Sequence, residues 1–245
     1  MTKVTHEPSS GYVNMQQQTL HKGYPVHSIF GFRYAGIESK EELQTITWYD
    51  HNGEVSQSDL ATDAFTPEDG VYGGSLDPKV MSSFTPEITW AGFSLSAMFS
   101  YYGGHYMRAD VERWASQGNT YGYSGAINAS NLNYWTSGDP TKYLANGYLG
   151  GMSHITGLIF TRFMDINVVP ADYMKLRHLV LGYNFSKDIC HSLKVNAIRL
   201  RLQFNNLCTW VRNDLDIDPE ANNPITGTAL LKTPKSYTLS LHVNF

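Results

Sequence analysis

The chain has 245 residues and a formal net charge of -4 at pH 7, with 42% hydrophobic and only 16% charged residues. Ordinary globular proteins carry roughly 25% charged residues. The net negative charge and the absence of a basic stripe exclude nucleic acid as an expected partner. A mean hydropathy of -0.31, with no apolar run near the roughly 20 residues of a spanning helix, argues against a helical membrane protein. Membrane-spanning strands remain compatible with this composition, because half of their residues are polar.

The N-terminal segment Met-Thr-Lys-Val-Thr-His-Glu-Pro contains no apolar h-region. We therefore expect this chain to carry no secretory signal peptide. A barrel that enters an outer membrane must first be exported. The N-terminal segment therefore predicts either a chain that is not exported or the C-terminal part of a longer protein.

The first predicted strand covers roughly residues 23–35. The polar stretch 36–79, rich in Asp, Glu, Gly, Ser and Thr, is predicted to be a long loop with a turn at Asp50-His-Asn-Gly53. A hairpin is predicted next, because the alternating runs 84–90 and 93–101 flank the short Ala91-Gly92 link.

Residues 103–171 are dominated by Gly, Asn, Ser and Tyr and are predicted to form a second long loop, which includes 155–163. Strands are then predicted at about 173–185, 195–210 and 237–245, with a short connection at 186–193 and a polar loop at about 211–233. In the last strand Tyr237, Leu239, Leu241, Val243 and Phe245 alternate with polar residues. A period of two places the apolar set on one face.

The alternation of short and long connections gives the strands a consistent direction. If the C-terminus lies on the short-turn side, the connections at 91–92 and 186–193 are inner turns, and 36–79, 103–171 and 211–233 are extracellular loops. The pattern predicts an all-β chain of about six spanning strands of a transmembrane antiparallel β-barrel. Because the smallest bacterial barrels have about eight strands, this segment is incomplete as a barrel by itself.

The two cysteines, Cys190 and Cys208, are predicted to be free. If one rising strand joins them, they lie roughly 40 Å or more apart at about 3.3 Å per residue. A disulfide needs Cα atoms within about 7 Å of each other. Each is expected to be a small packing residue.

Six segments of the chain together carry a family resemblance: Gly23-Tyr-Pro-Val-His-Ser-Ile-Phe-Gly-Phe-Arg-Tyr-Ala-Gly36, Gly74-Ser-Leu-Asp-Pro78 with Phe84-Thr-Pro86, Ala171-Asp-Tyr-Met-Lys-Leu-Arg-His-Leu-Val-Leu-Gly-Tyr183, Ile198-Arg-Leu-Arg-Leu-Gln-Phe-Asn-Asn-Leu207, Asp218-Pro-Glu220 and the closing strand 237–245. In this order they resemble segments of SusC/RagA-type TonB-dependent transporters of Bacteroidetes outer membranes. The run 171–183 resembles the late-strand motif of that family, with Met174-Lys175 in place of a hydrophobic-Arg pair.

The resemblance implies that residues 1–245 are the C-terminal β-barrel segment of such a receptor, with the signal peptide, plug, TonB box and N-terminal strands lying outside it. The parent protein would sit in the cell outer membrane and import a glycan or peptide. A SusD-like lipoprotein would cap it, and TonB–ExbB–ExbD would act through the plug. This chain would supply barrel wall and outer loops, next to the remaining barrel strands and outer-membrane lipid.

Three groups of residues are candidate sites. Acidic residues at alternate positions of one loop would suit Ca²⁺ if the loop is extended, although a solvated acidic rim is the favoured alternative: Asp214, Asp216, Asp218 and Glu220. Aromatic residues of the 103–171 loop are candidates to stack on a ligand, or else to pack the loop on itself or against a lid protein: Trp114, Tyr121, Tyr123, Tyr134 and Trp135. Arg199 and Arg201 face away from the apolar set and hence into the lumen, where they would contact the plug, steer an anionic ligand or pair with a neighbouring carboxylate.

No HExxH, CxxC, GxSxG or Gly-rich phosphate loop is present, so neither an enzymatic activity nor a cofactor is expected. The alternative function is a soluble or surface-exposed β-rich glycan-binding module. That alternative predicts soluble expression without detergent. The barrel segment predicts inclusion bodies, or folding only together with the missing strands.

Overall fold

The computed structural model describes residues 2–5, 21–40, 43–57, 67–109 and 164–245. In chain order the strands are β1 (Ser28–Lys40), β2 (Leu43–Tyr49), β3 (Val55–Gln57), β4 (Gly70–Ser75), β5 (Val80–Phe84), β6 (Glu87–Trp90), β7 (Phe93–Gly103), β8 (Tyr106–Arg108), β9 (Val168–Pro170), β10 (Tyr173–Asn184), β11 (Ala197–Val211) and β12 (Ser236–Asn244), and a short helix α1 (Lys187–Ser192) precedes β11. The fold is all-β with antiparallel sheets, as predicted. None of the helices in these ranges has the length and apolar character that crossing a membrane demands.

Contacts along the chain define two units, which are described separately. The first comprises Met1–Asp77, His105–Pro170 and Asn222–Leu230. The second comprises Pro78–Gly104, Ala171–Ala221 and Leu231–Phe245.

The second unit contains one antiparallel sheet with the order β12–β11–β10–β7–β5, in which β6 also pairs with β7. The strands β5 and β6 occupy the same edge, because Phe84 pairs with Phe99 and Glu87 with Ser96 in one continuous register. Pro86 lies in the gap between them. It has no N–H to donate to the ladder, which explains why the edge strand is interrupted there.

The connections of this sheet alternate as predicted. The Ala91-Gly92 turn, the α1 connection and the end of β12 lie at one end of the sheet, where Asn184 N donates to Gly92 O and Asn196 N donates to Asn244 O. The long segments that follow β7 and β11 leave from the opposite end. The sheet is open along β12 and along the β5/β6 edge, so the described residues do not close a barrel.

The two faces of this sheet differ sharply in chemistry. Side chains directly opposite each other in an antiparallel pair point to the same side. Register therefore collects one set on an apolar face: Ile88, Trp90, Phe93, Leu95, Ala97, Phe99, Leu176, Leu179, Leu181, Tyr183, Ile198, Leu200, Leu202, Phe204, Tyr237, Leu239, Leu241 and Val243. The opposite, polar face carries Thr89, Ser94, Ser96, Gly182, Asn184, Arg199, Arg201, Gln203, Thr238, Ser240 and His242.

The first unit corrects two predictions. Residues 36–79 are not one long loop, because β2, β3 and β4 lie there and build the sheet β3–β2–β1–β4. The run Thr45-Ile-Thr-Trp-Tyr49 is rich in β-branched and aromatic residues, and the polar residues around it hid this strand signal. The predicted first strand, 23–35, begins at Ser28 in the structure and is β1. It pairs with β2 and β4 and does not belong to the larger sheet, whose six strands do not include it.

Two of the predicted turns and loops contain regular hydrogen-bonded structure. The turn at Asp50-His-Asn-Gly53 is confirmed, with Gly53 N donating to Asp50 O at 3.0 Å between β2 and β3. The ends of the long segment 103–171 form an antiparallel ribbon, in which Tyr106 pairs with Pro170 and Arg108 with Val168. The stretch 155–163, predicted as part of an outer loop, lies outside the described residues.

A small apolar core holds the first unit together. Its least exposed large side chains are Trp48, Met107 and Met164, joined by Ile29, Phe30 and Phe32 of β1. The Arg108 guanidinium donates to Phe30 O, and Asn222 Nδ2 donates to Arg108 O at 2.8 Å. These bonds satisfy polar groups that burial would otherwise leave without water.

Both cysteines are free, as predicted. Cys190 is buried on α1, which agrees with a packing role. Cys208 is exposed, so its predicted packing role is wrong. It pairs with Leu176 and therefore belongs to the apolar face, which no described strand of this unit covers.

The Ala91-Gly92 turn generates a matched test of backbone strain. Both residues have positive φ, 48° at Ala91 and 87° at Gly92, and a Cβ on Gly92 would lie 2.8 Å from Asn184 O. We expect Gly92→Ala to lower the free energy of unfolding by about 1–3 kcal/mol and Ala91→Gly to raise it by up to about 1 kcal/mol. Urea titration of the full chain folded in detergent measures both. Shifts of the same sign would contradict this account of the turn.

Candidate functional site

Three polar side chains of β10 lie on the polar face of the larger sheet: Tyr173, Lys175 and Arg177. Tyr173 and Lys175 share this face because they are two residues apart in a strand. Arg177 follows Lys175 by two residues and lies in a β-bulge, since the register shifts between Leu176 and His178 against both neighbouring strands. Its Nε donates to Ser100 Oγ at 2.8 Å, and Ser100 is the partner of Lys175 on β7.

The carboxylate of Glu220 accepts hydrogen bonds from all three side chains. Tyr173 Oη donates to Oε1 at 2.9 Å, and Lys175 Nζ donates to Oε2 at 2.6 Å. Arg177 binds it in a bidentate manner, with Nη1 donating to Oε2 at 2.8 Å and Nη2 to Oε1. Charge-assisted bidentate pairs of this kind are among the stronger and geometrically more specific hydrogen bonds in proteins.

Asp218 stabilises the turn that places Glu220 beside β10. Its Oδ1 accepts from Glu220 N at 3.0 Å and its carbonyl accepts from Ala221 N at 2.9 Å, which supports the 3-10 turn Pro219–Ala221. The Asp218 carboxylate also lies 3.6 Å from Lys175 Nζ. We call the five residues Tyr173, Lys175, Arg177, Asp218 and Glu220 the Glu220 clip.

The charges of the clip are balanced in a poorly solvated place. The side chain of Lys175 is only 4% exposed, so its ammonium needs anionic partners within the protein. Burial by itself raises the pKa of Glu220, but hydrogen bonds from Arg177, Lys175 and Tyr173 outweigh it and lower the pKa to about 2. Glu220 is therefore ionised throughout the physiological range, and the clip fastens the loop after β11 to β10.

A second carboxylate holds the start of β10. Asp172 Oδ1 accepts from Gly104 N at 2.7 Å, and its Oδ2 accepts from Arg212 Nη1 at 2.9 Å. The Asp172 carbonyl accepts from Arg212 N at 3.0 Å. Three strand ends, those of β7, β10 and β11, are thus tied together at the long-loop end of the sheet.

The four acidic residues predicted as a calcium candidate are not brought together. Asp214 and Asp216 are exposed, whereas Asp218 and Glu220 belong to the clip. Within the described ranges no group of three or more His, Cys, Asp or Glu side chains is arranged to hold a metal ion. The stretch Asn213–Ile217 is turned rather than extended, because Asn213 exchanges two hydrogen bonds with Ile217.

The other predicted site residues fall in two places. Arg199 and Arg201 lie on the polar face of β11 and are exposed, and Arg199 Nε donates to Asn184 Oδ1 at 2.7 Å. The loop aromatics Trp114, Tyr121, Tyr123, Tyr134 and Trp135 lie outside the described residues.

The clip itself was missed by sequence reasoning, although its parts were visible. Lys175 and Arg177 belong to the late-strand motif and Glu220 to the Asp-Pro-Glu motif, each noted separately. A charged residue in the middle of a strand is a signal that a counter-charge must lie opposite. Only the fold identifies which of the loop carboxylates supplies it.

Removal of the clip carboxylate provides the first test of this site. We expect Glu220→Gln to lower the free energy of unfolding by about 2–3 kcal/mol, because it leaves Lys175 and Arg177 without their anion. Asp214→Asn, an exposed change in the same loop, should alter it by less than about 0.5 kcal/mol. Urea titrations of the full chain in detergent compare the two. Equal effects would show that the clip adds no stability.

The lowered pKa of Glu220 predicts a dependence on pH with a definite sign. The clip stabilises the folded state fully above pH 4.5, the ordinary pKa of the group, and this contribution is lost as the pH falls towards about 2. The difference in unfolding free energy between wild type and Glu220→Gln should therefore be constant above pH 4.5 and shrink below it. A difference that stays constant down to pH 2 would refute the assignment.

Comparison with known proteins yields matches only among solved structures, since neither protein-family models nor curated proteins match the chain. A structure of the RagAB peptide importer in the open-open state is 20% identical with a TM-score of 0.61, and covers 91% of this chain and 23% of that chain. A structure of the RagAB peptide transporter is 22% identical with a TM-score of 0.62 over the same shares, 91% and 23%. The closed-closed state of the importer is 21% identical with a TM-score of 0.64, over 96% and 24%.

These likenesses concern the fold. The chain spans about a quarter of the length of the transporter chains that it matches. It matches them over nearly all of its own length, which supports the expected RagA-like, transporter-related β-fold. The chain therefore has the fold of a segment of a larger transporter chain, and its sheet is a part of a barrel rather than a whole one.

Proposed function

We propose that the larger sheet is a segment of the wall of a bacterial outer-membrane β-barrel, and that the barrel imports peptides or glycans. One observation carries the proposal: one face of this sheet is apolar, and no described strand of the same unit covers it. Trp90 is 77% exposed, Leu239 69% and Leu241 65%. The monomers of soluble proteins rarely expose a contiguous apolar surface of this kind.

Lipid is the environment that suits both faces at once. Hydrocarbon tails would cover the leucines and aromatic residues of the apolar face, while the polar face would line a water-containing lumen. Arg199 and Arg201 lie on the polar face, consistent with their prediction as lumen residues. A soluble β-sandwich would instead need a second layer over the apolar face, and the described residues of this unit provide none.

The open edges support a role as part of a larger wall. Along β12 and along β5/β6, the backbone groups of one side have no partner strand within the described residues. Each unsatisfied backbone group costs several kcal/mol in hydrocarbon, so a sheet with open edges is less stable in a bilayer than a closed barrel. The remaining strands of a barrel would pair with both edges.

The import role rests on the fold and on the family resemblance. RagAB, whose chain shares this fold, is a peptide importer. By analogy, the barrel to which this chain belongs would import peptides or glycans with a SusD-like lipoprotein over its mouth, and TonB–ExbB–ExbD would energise it through a plug. The segment described here would contribute wall and outer-loop surface, with no covalent chemistry of its own.

A pair of substitutions on β12 tests the wall assignment. Leu239→Arg places a charge on the apolar face and should weaken the partition of the full chain into phospholipid vesicles by about 2–4 kcal/mol. Thr238→Arg places the same charge on the polar face and should leave partition within about 1 kcal/mol of wild type. Flotation of urea-diluted protein with vesicles measures the bound fraction of each variant.

The outcome also separates the two candidate functions. Equal losses of vesicle binding in both variants would overturn the wall assignment. It would also be overturned if the wild-type chain stays monomeric in buffer and does not bind vesicles. The latter result would favour the soluble β-rich glycan-binding module.

A further inference from the structure

Two turns of the first unit meet through a histidine and an aspartate that no function described above uses. His51 lies in the turn between β2 and β3, and Asp69 ends the 3-10 turn Pro67–Asp69, directly before β4. In the sheet order β3–β2–β1–β4, the strands β2 and β4 flank β1 on opposite sides. The contact therefore joins the two flanks of this sheet across β1.

One carboxylate oxygen accepts both hydrogen bonds of this contact. Asp69 Oδ1 accepts from His51 N at 2.8 Å and from His51 Nδ1 at 2.9 Å. The Asp69 side chain is only 3% exposed, whereas the His51 side chain is 50% exposed. A buried carboxylate requires donors from the protein, and here a half-exposed imidazole supplies one of them. We call this pair the His51–Asp69 clasp.

The turn that carries His51 is braced by its own hydrogen bonds. Asp50 Oδ1 accepts from Asn52 N and from Glu54 N, each at 2.9 Å. The bond from Glu54 N lowers the pKa of Asp50, so this carboxylate is ionised when His51 titrates. The turn therefore holds the His51 backbone in place, and the ring is the part of the clasp that changes its charge.

The His51 ring makes different contacts in its neutral and protonated forms. Nε2 lies 3.1 Å from Asn52 Nδ2, which is a donor, so the arrangement in the structure is that of a neutral ring with its proton on Nδ1. Protonation makes Nε2 a donor as well. The Asn52 amide must then rotate to present its oxygen, and Nδ2 gives up its 3.4 Å contact with Asp50 Oδ2.

Acidic residues of both turns favour the protonated ring. The hydrogen bond with Asp69 raises the pKa of His51 above its ordinary value and outweighs the partial burial of the ring. The charges of Asp69, Asp50 and Glu68 act in the same direction. A raised pKa means that the clasp contributes its full stability below the ordinary value of 6.5 and loses the additional part as the pH rises through the folded-state pKa.

We propose that the His51–Asp69 clasp is an acid-strengthened fastening, which holds the β2–β3 hairpin against the start of β4 more firmly in mildly acidic than in alkaline surroundings. Protonation places a cation against the buried anion and so strengthens their hydrogen bond. The hairpin therefore opens less often at low pH. This device is independent of the wall function, which concerns the larger sheet.

Hydrogen exchange of the full 245-residue chain in detergent, followed by mass spectrometry, tests the proposal. After correction for the intrinsic pH dependence of exchange, we expect the amides of the hairpin to be at least about threefold better protected at about pH 5.5 than at about pH 8.5. His51→Gln keeps a donor for Asp69 but does not titrate, so it should remove this difference. An equal pH dependence in both chains would overturn the proposal.

His27 supplies the matched control in the same unit. Its Nδ1 lies 2.9 Å from Asp77 Oδ1, but the Asp77 side chain is 52% exposed. Exposed pairs of this kind contribute little, so His27→Gln should leave the pH dependence of the hairpin unchanged. A loss as large as that in His51→Gln would assign the effect to histidine titration in general, and the clasp would not be its cause.

The ring of the wild-type chain provides a second readout that needs no variant. Nitrogen-15 NMR, with the His51 ring assigned through its own backbone amide, reports the tautomer and the midpoint of titration. We expect the neutral ring to carry its proton on Nδ1 and the midpoint to lie above 6.5. A midpoint at or below this value, or a neutral ring protonated on Nε2, would contradict the proposal.

Discussion

The structure depends on one constraint, the rule that opposed side chains in an antiparallel sheet share a face. Each strand of the larger sheet alternates apolar and polar residues, and the register brings Tyr183, Leu200 and Leu241 into one row. Five strand positions in phase then produce an apolar face and a polar face. No described element of this unit covers the apolar face, and burying that face is the main favourable free energy that its residues can supply.

The Glu220 clip follows from the same geometry with one irregularity. The bulge shifts the register after Leu176, which places His178 on the polar face and Leu179 on the apolar face. Lys175 and Arg177 are two residues apart and therefore share the polar face, so two cations face one loop carboxylate. A buried ion group of this kind adds little net energy over an apolar core, but each member is costly to remove singly. Its consequence is a defined position for the loop after β11.

Sequence reasoning performed best where local chemistry and long-range structure agree. The hairpin at Ala91-Gly92, the three C-terminal strands and the alternation of short and long connections were predictable, because turn residues and period-two patterns are local signals. It failed for 36–79, where β2 lies within a polar stretch, and for the partners of β1. Strand pairing of this kind is decided by tertiary contacts, and composition averaged over a long window conceals a seven-residue strand.

The sequence by itself determined the two-faced character of the sheet, which follows from the side-chain period. The interruption at Pro86 was not predicted, since 84–90 reads as one alternating run, whereas the structure divides it into β5 and β6. Only the tertiary structure decided that Glu220, and not Asp214 or Asp216, meets Lys175 and Arg177 across more than forty residues of chain. The reason is physical: the loop carboxylates have similar local chemistry, and only the path of the loop after β11 brings Glu220 within hydrogen-bond reach of Lys175 and Arg177.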